Sequence, residues 1–218
     1  MEAFPHVLLA IDPATTTGWA SYEDLGRDRH PRVQCGTFTA KGEPEARLFG
    51  DCAMQVREVL DRVRPRRVAI EMRLPSFARG SEEDDPRALT HGRPVRKQIR
   101  NEANVKRQDG IRGILLAQLG MRRPSIGLPN GIPYEEVNSQ TWRRSFFGEG
   151  HRPPATVAPE KRRTWWKAEA RLKAEMLGMR WGFSVPNADA AEALGMVIWL
   201  AAREGTFAAR DAIKRAAA

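Results

Sequence analysis

The chain has 218 residues, 41% hydrophobic and 29% charged, which is enough for one substantial core and short for two full domains. Lys and Arg total 36 against 27 Asp and Glu, and the resulting +9 charge and pI near 10.2 favour an anionic partner. No apolar run approaches the roughly 20 residues that span a bilayer, and no signal-peptide layout opens the sequence, which argues against a membrane role.

The hydrophobic period changes several times along the chain. His6 to Ile11 is almost wholly apolar, as in a strand buried on both faces. Thr17 to Tyr22 and Arg32 to Thr39 follow as shorter β-like runs, separated by the turn-rich stretch Asp24 to Pro31. From Glu43 to Arg64 the spacing is helical, with Phe49, Cys52, Ala53, Val56, Leu60 and Val63 on one face and Pro65 as the stop. Arg67 to Glu71 (RVAIE) is a short buried strand that ends in a carboxylate.

Met72 to Ala103 is polar. An acidic cluster at Glu82 to Asp85 precedes Arg93, Arg96, Lys97 and Arg100, and a stretch this long is either a functional loop or a solvated insertion. Asn104 to Leu119 returns to helical spacing, entered through Lys106 and Arg107, with Gly110 and Gly113 small enough for close packing on a sheet. Ile132 to Val137 predicts a fifth strand, Ser139 to Phe147 a short helix, and Gly148 to Pro159 a Gly/Pro-rich loop. Lys161 to Leu177 reads as a basic helix and Ala188 to Glu204 as an Ala-rich helix with a strong apolar face. Residues 206–218 read as a weakly patterned basic tail behind a single domain at 1–205. This order predicts a mixed α/β sandwich with helices covering a sheet.

Cys35 and Cys52 sit among apolar residues, and the four scattered histidines offer no zinc spacing, so both thiols read as core fillers suited to a reducing cytoplasm. Four acidic residues stand out instead. Asp12 ends the first apolar strand and Glu71 the later one, where a carboxylate after buried residues is costly without a partner. Asp189 and Glu192 lie three apart at the start of the Ala-rich helix and share one face. Taken singly, Asp189 could serve the helix dipole and Glu192 a capping box. If the strands are neighbours and the helix crosses their ends, all four converge. Clustered carboxylates without intervening cations call for a hard metal ion, Mg²⁺ or Mn²⁺, of the kind that activates water in phosphodiester hydrolysis.

IDPATTTGWA (Ile11 to Ala20), VAIE (Val68 to Glu71) and NADAAEALGMVIW (Asn187 to Trp199) together resemble the three acidic motifs of RuvC-type Holliday-junction resolvases. Those motifs are a strand ending in Asp-Pro-Gly, a strand ending in Glu, and an Ala-rich helix carrying Asp-x-x-Asp. The resemblance implies a ribonuclease H-like fold with a mixed five-stranded sheet flanked by helices. It also implies a metal-dependent endonuclease that cuts branched DNA, four-way junctions above all, as a homodimer. The metal-binding roles pass to Asp12, Glu71, Asp189 and Glu192. Arg143 in TWRRSFFG and Lys161 in PEK become candidates to stabilise the scissile phosphate.

This sequence departs from the pattern in Ala14, where a glycine is usual, and in Glu192, where aspartate is commoner. The family's junction wedge is an aromatic residue shortly after the glutamate; here Leu74 holds the nearest spacing and Phe77 comes later. The expected DNA-binding set adds Leu74, Phe77, Arg96, Lys97, Arg100, Lys106, Arg107, Arg144 and Arg162 to Arg143 and Lys161. KRRTWWK (Lys161 to Lys167) places cations for phosphates beside Trp165 and Trp166, of which at most one is expected to touch DNA. Versions with such a long insertion look like those of phages or related mobile elements. Two rival readings remain: a branched-DNA binder without chemistry, and an ATP-binding protein of the actin and sugar-kinase type. In the latter, DPATTTG would cradle phosphates, but the second glycine-rich loop of that fold is missing.

Overall fold

A computed structural model describes residues 6–72, 89–90, 93–94, 102–122 and 131–214. Alternation along the central strands builds two cores at once. On β1 (Val7–Asp12), Leu8 and Ala10 enter one core while Leu9 and Ile11 enter the other. β4 (Arg67–Glu71) repeats the pattern, with Ala69 on the first side and Val68 and Ile70 on the second. Both strands are therefore apolar on both faces.

The sheet has the order β3-β2-β1-β4-β7, where β2 is Thr16–Glu23, β3 is Arg32–Thr39 and β7 is Tyr134–Val137. β1, β2 and β3 form an antiparallel meander, and β4 and β7 add in parallel beside β1. A separate two-stranded ribbon pairs β5 (Leu89–Thr90) with β6 (Arg93–Pro94). This is the mixed five-stranded sheet flanked by helices that the resemblance implied.

One face is covered by α1 (Glu45–Val63), which buries Leu48, Cys52, Val56, Val59, Leu60 and Val63, with α2 (Glu102–Met121) against it. Gly110 serves this helix pair and not the sheet: a Cβ there would stand 2.4 Å from the Phe49 ring of α1, whereas Gly113 faces open space. α5 (Ala188–Arg203) lies on the other face, with every residue from Ala190 to Ala201 buried. It settles closely because the strands beneath it present alanines, Ala10, Ala20 and Ala69. α3 (Ser139–Phe147), α4 (Arg162–Trp181) and α6 (Phe207–Lys214) contribute to the same core.

The segment read as a basic tail is thus partly structured. Residues 207–214 form α6, which buries Ala209 and Ala212. Its eight residues are too few to be stable as an isolated helix, and it holds its shape by packing Ala209 and Ala212 on the core. Among the described residues no helix is long and apolar enough to cross a membrane.

Candidate active site

Because side chains alternate, Asp12 follows Leu8 and Ala10 onto the α5 side of the sheet, and Glu71 follows Ala69. β1 and β4 are parallel neighbours with Ile11 opposite Ile70, so the next residues, Asp12 and Glu71, end adjacent strands side by side. α5 begins above them. Its cap, Asn187, accepts a hydrogen bond from the Ala190 amide at 3.0 Å and donates from Nδ2 to Thr37 Oγ1 of β3, also at 3.0 Å. Gly18 of β2 permits the close approach, since a Cβ there would stand 2.2 Å from the Asp189 carbonyl oxygen. Asp189 occupies the first turn of α5 and Glu192 the next. Because Asn187 caps the helix, Glu192 is not needed as a capping partner; it is a buried acid, 6% exposed.

The four carboxylates act on one another. Burial raises the Asp12 carboxyl well above the usual aspartate range, and repulsion from Glu71, Glu192 and Asp189, with a hydrogen bond to Glu71, pushes it the same way. Glu192 is also raised, by burial first, with Arg143 pulling against it, Glu71 adding repulsion and Lys167 opposing.

Two cations reach the group. Arg143 of α3 donates from Nη2 to Glu192 Oε1 at 2.7 Å, and its guanidinium lies 5.1 Å from the Trp142 ring centre and 5.3 Å from that of Trp166. Lys167 of α4 donates to Asp189 Oδ1 and stands 4.0 Å from Glu192 Oε2. Trp142 Nε1 donates to Glu71 Oε1 at 3.3 Å. Asp12 and Glu71 have no cationic partner among the described residues.

The donor set fits a hard divalent cation by chemistry: four carboxylates, no thiol or imidazole, and a half-buried Asp12 whose charge is opposed by its neighbours. Asp189 and Glu192 are engaged by Lys167 and Arg143, and among the described residues no three His, Cys, Asp or Glu side chains stand ready as a metal-holding group. The Asp-Pro-Ala turn closes without glycine, because the Thr17 hydroxyl donates to the Ala14 carbonyl at 2.6 Å and accepts from the Ala14 amide at 3.3 Å. That amide and hydroxyl satisfy each other, which weakens the phosphate-cradle reading of this loop.

The other predicted residues that the structure describes lie outside the carboxylate group. Lys161 is exposed in a single 3-10 turn, Pro159–Lys161, and Arg162 is exposed at the start of α4. Arg144 is exposed and pairs with Glu149 at 3.1 Å, a surface contact of little energetic weight. Lys106 is exposed and Arg107 half-buried on α2, the helix paired with α1. Leu74, Phe77, Arg96, Lys97 and Arg100 lie outside the described residues.

Lys167 is the residue whose role the sequence reading missed, having been grouped with surface cations. Its signal was its spacing: three and seven residues before the buried Ala170 and Ala174, it sits on the core-facing stripe of α4. A lysine on such a stripe needs an acceptor close by; Lys173 finds the Phe146 carbonyl, and Lys167 finds Asp189.

Fold and site together define a ribonuclease H-like α/β protein with a carboxylate cluster where two central parallel strands end beneath a helix. Among solved structures the chain is similar to Thermus thermophilus RuvC in complex with a Holliday-junction substrate, with 18% identity, 92% of this chain and 97% of that one covered, and a TM-score of 0.53. It is similar to a second Thermus thermophilus RuvC structure at 19% identity, with the same coverage and TM-score. At such identities the likeness establishes the fold. No family model and no curated protein sequence matches the chain.

Proposed function

We propose that the chain is a divalent-metal-dependent endonuclease that hydrolyses phosphodiester bonds in branched DNA, four-way junctions above all, working as a pair of identical copies. The observation that carries this reading is the meeting of Asp12, Glu71, Asp189 and Glu192 at the strand ends, where each of the others adds to the rise of Asp12. The likeness of fold to RuvC, one structure of which holds a Holliday junction, supports the choice of substrate. The two-fold symmetry of paired cuts supports the dimer.

Asp12, Glu71, Asp189 and Glu192 would hold Mg²⁺ or Mn²⁺, which when bound supplies Lewis acidity for activating water and neutralising the leaving oxygen. Among the described residues Asp12 and Glu71 have no cationic partner, and their carboxylates would hold the ion first. Asp189 and Glu192, which pair with Lys167 and Arg143, would complete the set of ligands, and Lys167 and Arg143 would then donate to the scissile phosphate. Lys161, Arg162 and Arg144 lie outside this group and add electrostatic affinity for the DNA backbone.

The salt links from Lys167 and Arg143 also favour one other reading, a branched-DNA binder in which the acids are structural. One assay separates the two. A labelled four-way junction is incubated with Mg²⁺ or Mn²⁺ and either the parent or the Asp12→Asn protein. The parent should cut and the variant should bind without cutting, because affinity comes mainly from Lys and Arg. A parent that binds junctions but leaves them intact with both metals is the binder, and undiminished cutting in excess EDTA overturns the metal reading.

A further inference from the structure

A group of rings stands beside the carboxylates. α3 ends at Phe147, which is 6% exposed. The chain then turns back through Gly148 and Gly150, both at positive φ (98° and 93°), and lays His151 on that ring. His151 stacks on Phe147 with centroids 4.9 Å apart and planes 16° from parallel. It also stacks on Trp165, at 5.1 Å and 28°. The rings form a ladder, Phe147–His151–Trp165, whose inner end is core and whose outer end is half-buried in the first turn of α4.

Trp166 braces the ladder from the side, edge-on to Trp165 at 4.8 Å and tilted against Phe147 and His151. His151 Nε2 is held by Glu169 Oε2 at 3.1 Å. Packing of α4 does not require the outer ring, because Trp166 is the tryptophan of the pair that joins the core. Among the described residues Trp165 stacks on no ring beyond His151 and Trp166.

The surroundings define the chemistry that would complete the ladder. Arg144, Arg152, Lys161, Arg162 and Arg163, from α3, the returning loop and the start of α4, are all exposed. A rigid indole among cations matches a nucleobase with its flanking phosphates, and stacking is open to an unpaired base. An apolar protein side chain would use the ring and draw nothing from these cations. The ladder also touches the site: Arg143 lies over Trp166 and binds Glu192, so one side chain separates the rings from the carboxylates.

We infer that Trp165, held by His151 and Phe147, is a stacking platform for an unpaired base of the DNA and sets which nucleotide near the branch lies at the carboxylates. Its role in positioning rests on the nuclease reading proposed above, whereas the stacking itself requires neither metal nor cleavage.

The test uses the full chain carrying Asp12→Asn, in EDTA, with fluorescein-labelled oligothymidine at fixed salt and then over a salt series. Trp165→Leu should weaken binding by roughly tenfold. The slope of affinity against salt should stay unchanged, because the slope counts phosphates. Trp165→Phe should keep most of the affinity. Equal affinity of the Leu variant and its parent overturns the platform, as does an equal loss in the Leu and Phe variants. If the Leu variant melts early, the parent decides the matter: oligonucleotide carrying 5-bromouracil should photocrosslink to Trp165, and crosslinking elsewhere overturns the inference. A chain without Asp12→Asn that cuts junctions but crosslinks elsewhere sinks the platform alone. One that crosslinks at Trp165 but cuts nothing in Mg²⁺ sinks the nuclease reading alone.

Discussion

Gly18 is the point where a single methyl group should separate the two halves of the site. A Cβ at this position would stand 2.2 Å from the carbonyl oxygen of Asp189, 2.5 Å from its carbonyl carbon and 3.2 Å from the Ala190 amide nitrogen. These are backbone atoms of a helix buried without interruption from Ala190 to Ala201, so no side chain can swing aside to make room. Restoring an ordinary contact requires the start of α5 to retreat by about an ångström. Overpacking of this kind costs roughly 1–3 kcal/mol, which in a chain of this size lowers the melting temperature by about 3–10 °C. The same retreat carries Asp189 and Glu192 away from Asp12 and Glu71, and a displacement of about 1 Å in a catalytic constellation costs on the order of 100-fold in rate. Gly18→Ala is therefore expected to lose far more activity than stability. Single-turnover cleavage of a labelled four-way junction, run beside thermal melting, measures both. A Gly18→Ala protein with the parental rate and melting temperature would refute the claim that α5 must touch β2 here for the carboxylates to meet.

Asp12→Asn should raise the melting temperature of the metal-free protein at neutral pH while removing cleavage. The Asp12 value is raised in the fold, so its stabilising contribution is present at low pH and is lost as pH rises through that raised value. The gap between variant and parent should accordingly widen upward from about pH 4, and Mg²⁺ should raise the melting temperature of the parent and scarcely that of the variant; a gap independent of pH contradicts the clustering. Lys167→Met should lower single-turnover cleavage on the order of 100-fold with little loss of junction affinity, whereas Lys161→Ala should act through affinity and lower the salt slope by about one; the reverse pattern would return the active-site role to Lys161. Trp142→Phe removes the donor to Glu71 and should cost about 1 kcal/mol, seen as a fall of about 2–4 °C in melting temperature; an unchanged melt would mean that this hydrogen bond contributes nothing.

Much of the scaffold was legible in the chain. The near-continuous apolar runs of β1 and β4 marked strands covered on both faces, and each ended in an acid whose position at a strand end required a partner. The stripe from Cys52 to Val63 located α1, and Pro65 its end. Ser139–Phe147 has the bounds read from the chain, and the structure shows Asn138 capping it through the Gln140 amide. Three features were not legible. α6 is eight residues long and forms by packing Ala209 and Ala212 on the core, α4 runs on to Trp181 before Gly182 caps it in the left-handed region, and Gly110 accommodates Phe49 of another helix.

The sequence by itself determined which residue types the site would contain and at which ends of which elements they would sit, since hydrophobic period and caps are properties of neighbouring residues. The tertiary structure alone decided that these ends coincide. Pairing of β1 with β4 sets Asp12 beside Glu71, and contact of Gly18 with α5 brings in residues more than 100 positions further along the chain. It also decided that Lys167, and not Lys161, reaches the carboxylates, because the rotation of α4 about its axis is set by how Ala170, Ala174 and Leu177 pack on the core. The high Asp12 value has the same origin. Burial and the repulsion of three acids from distant segments appear when the chain closes, and no local pattern encodes a distance between elements that meet through space.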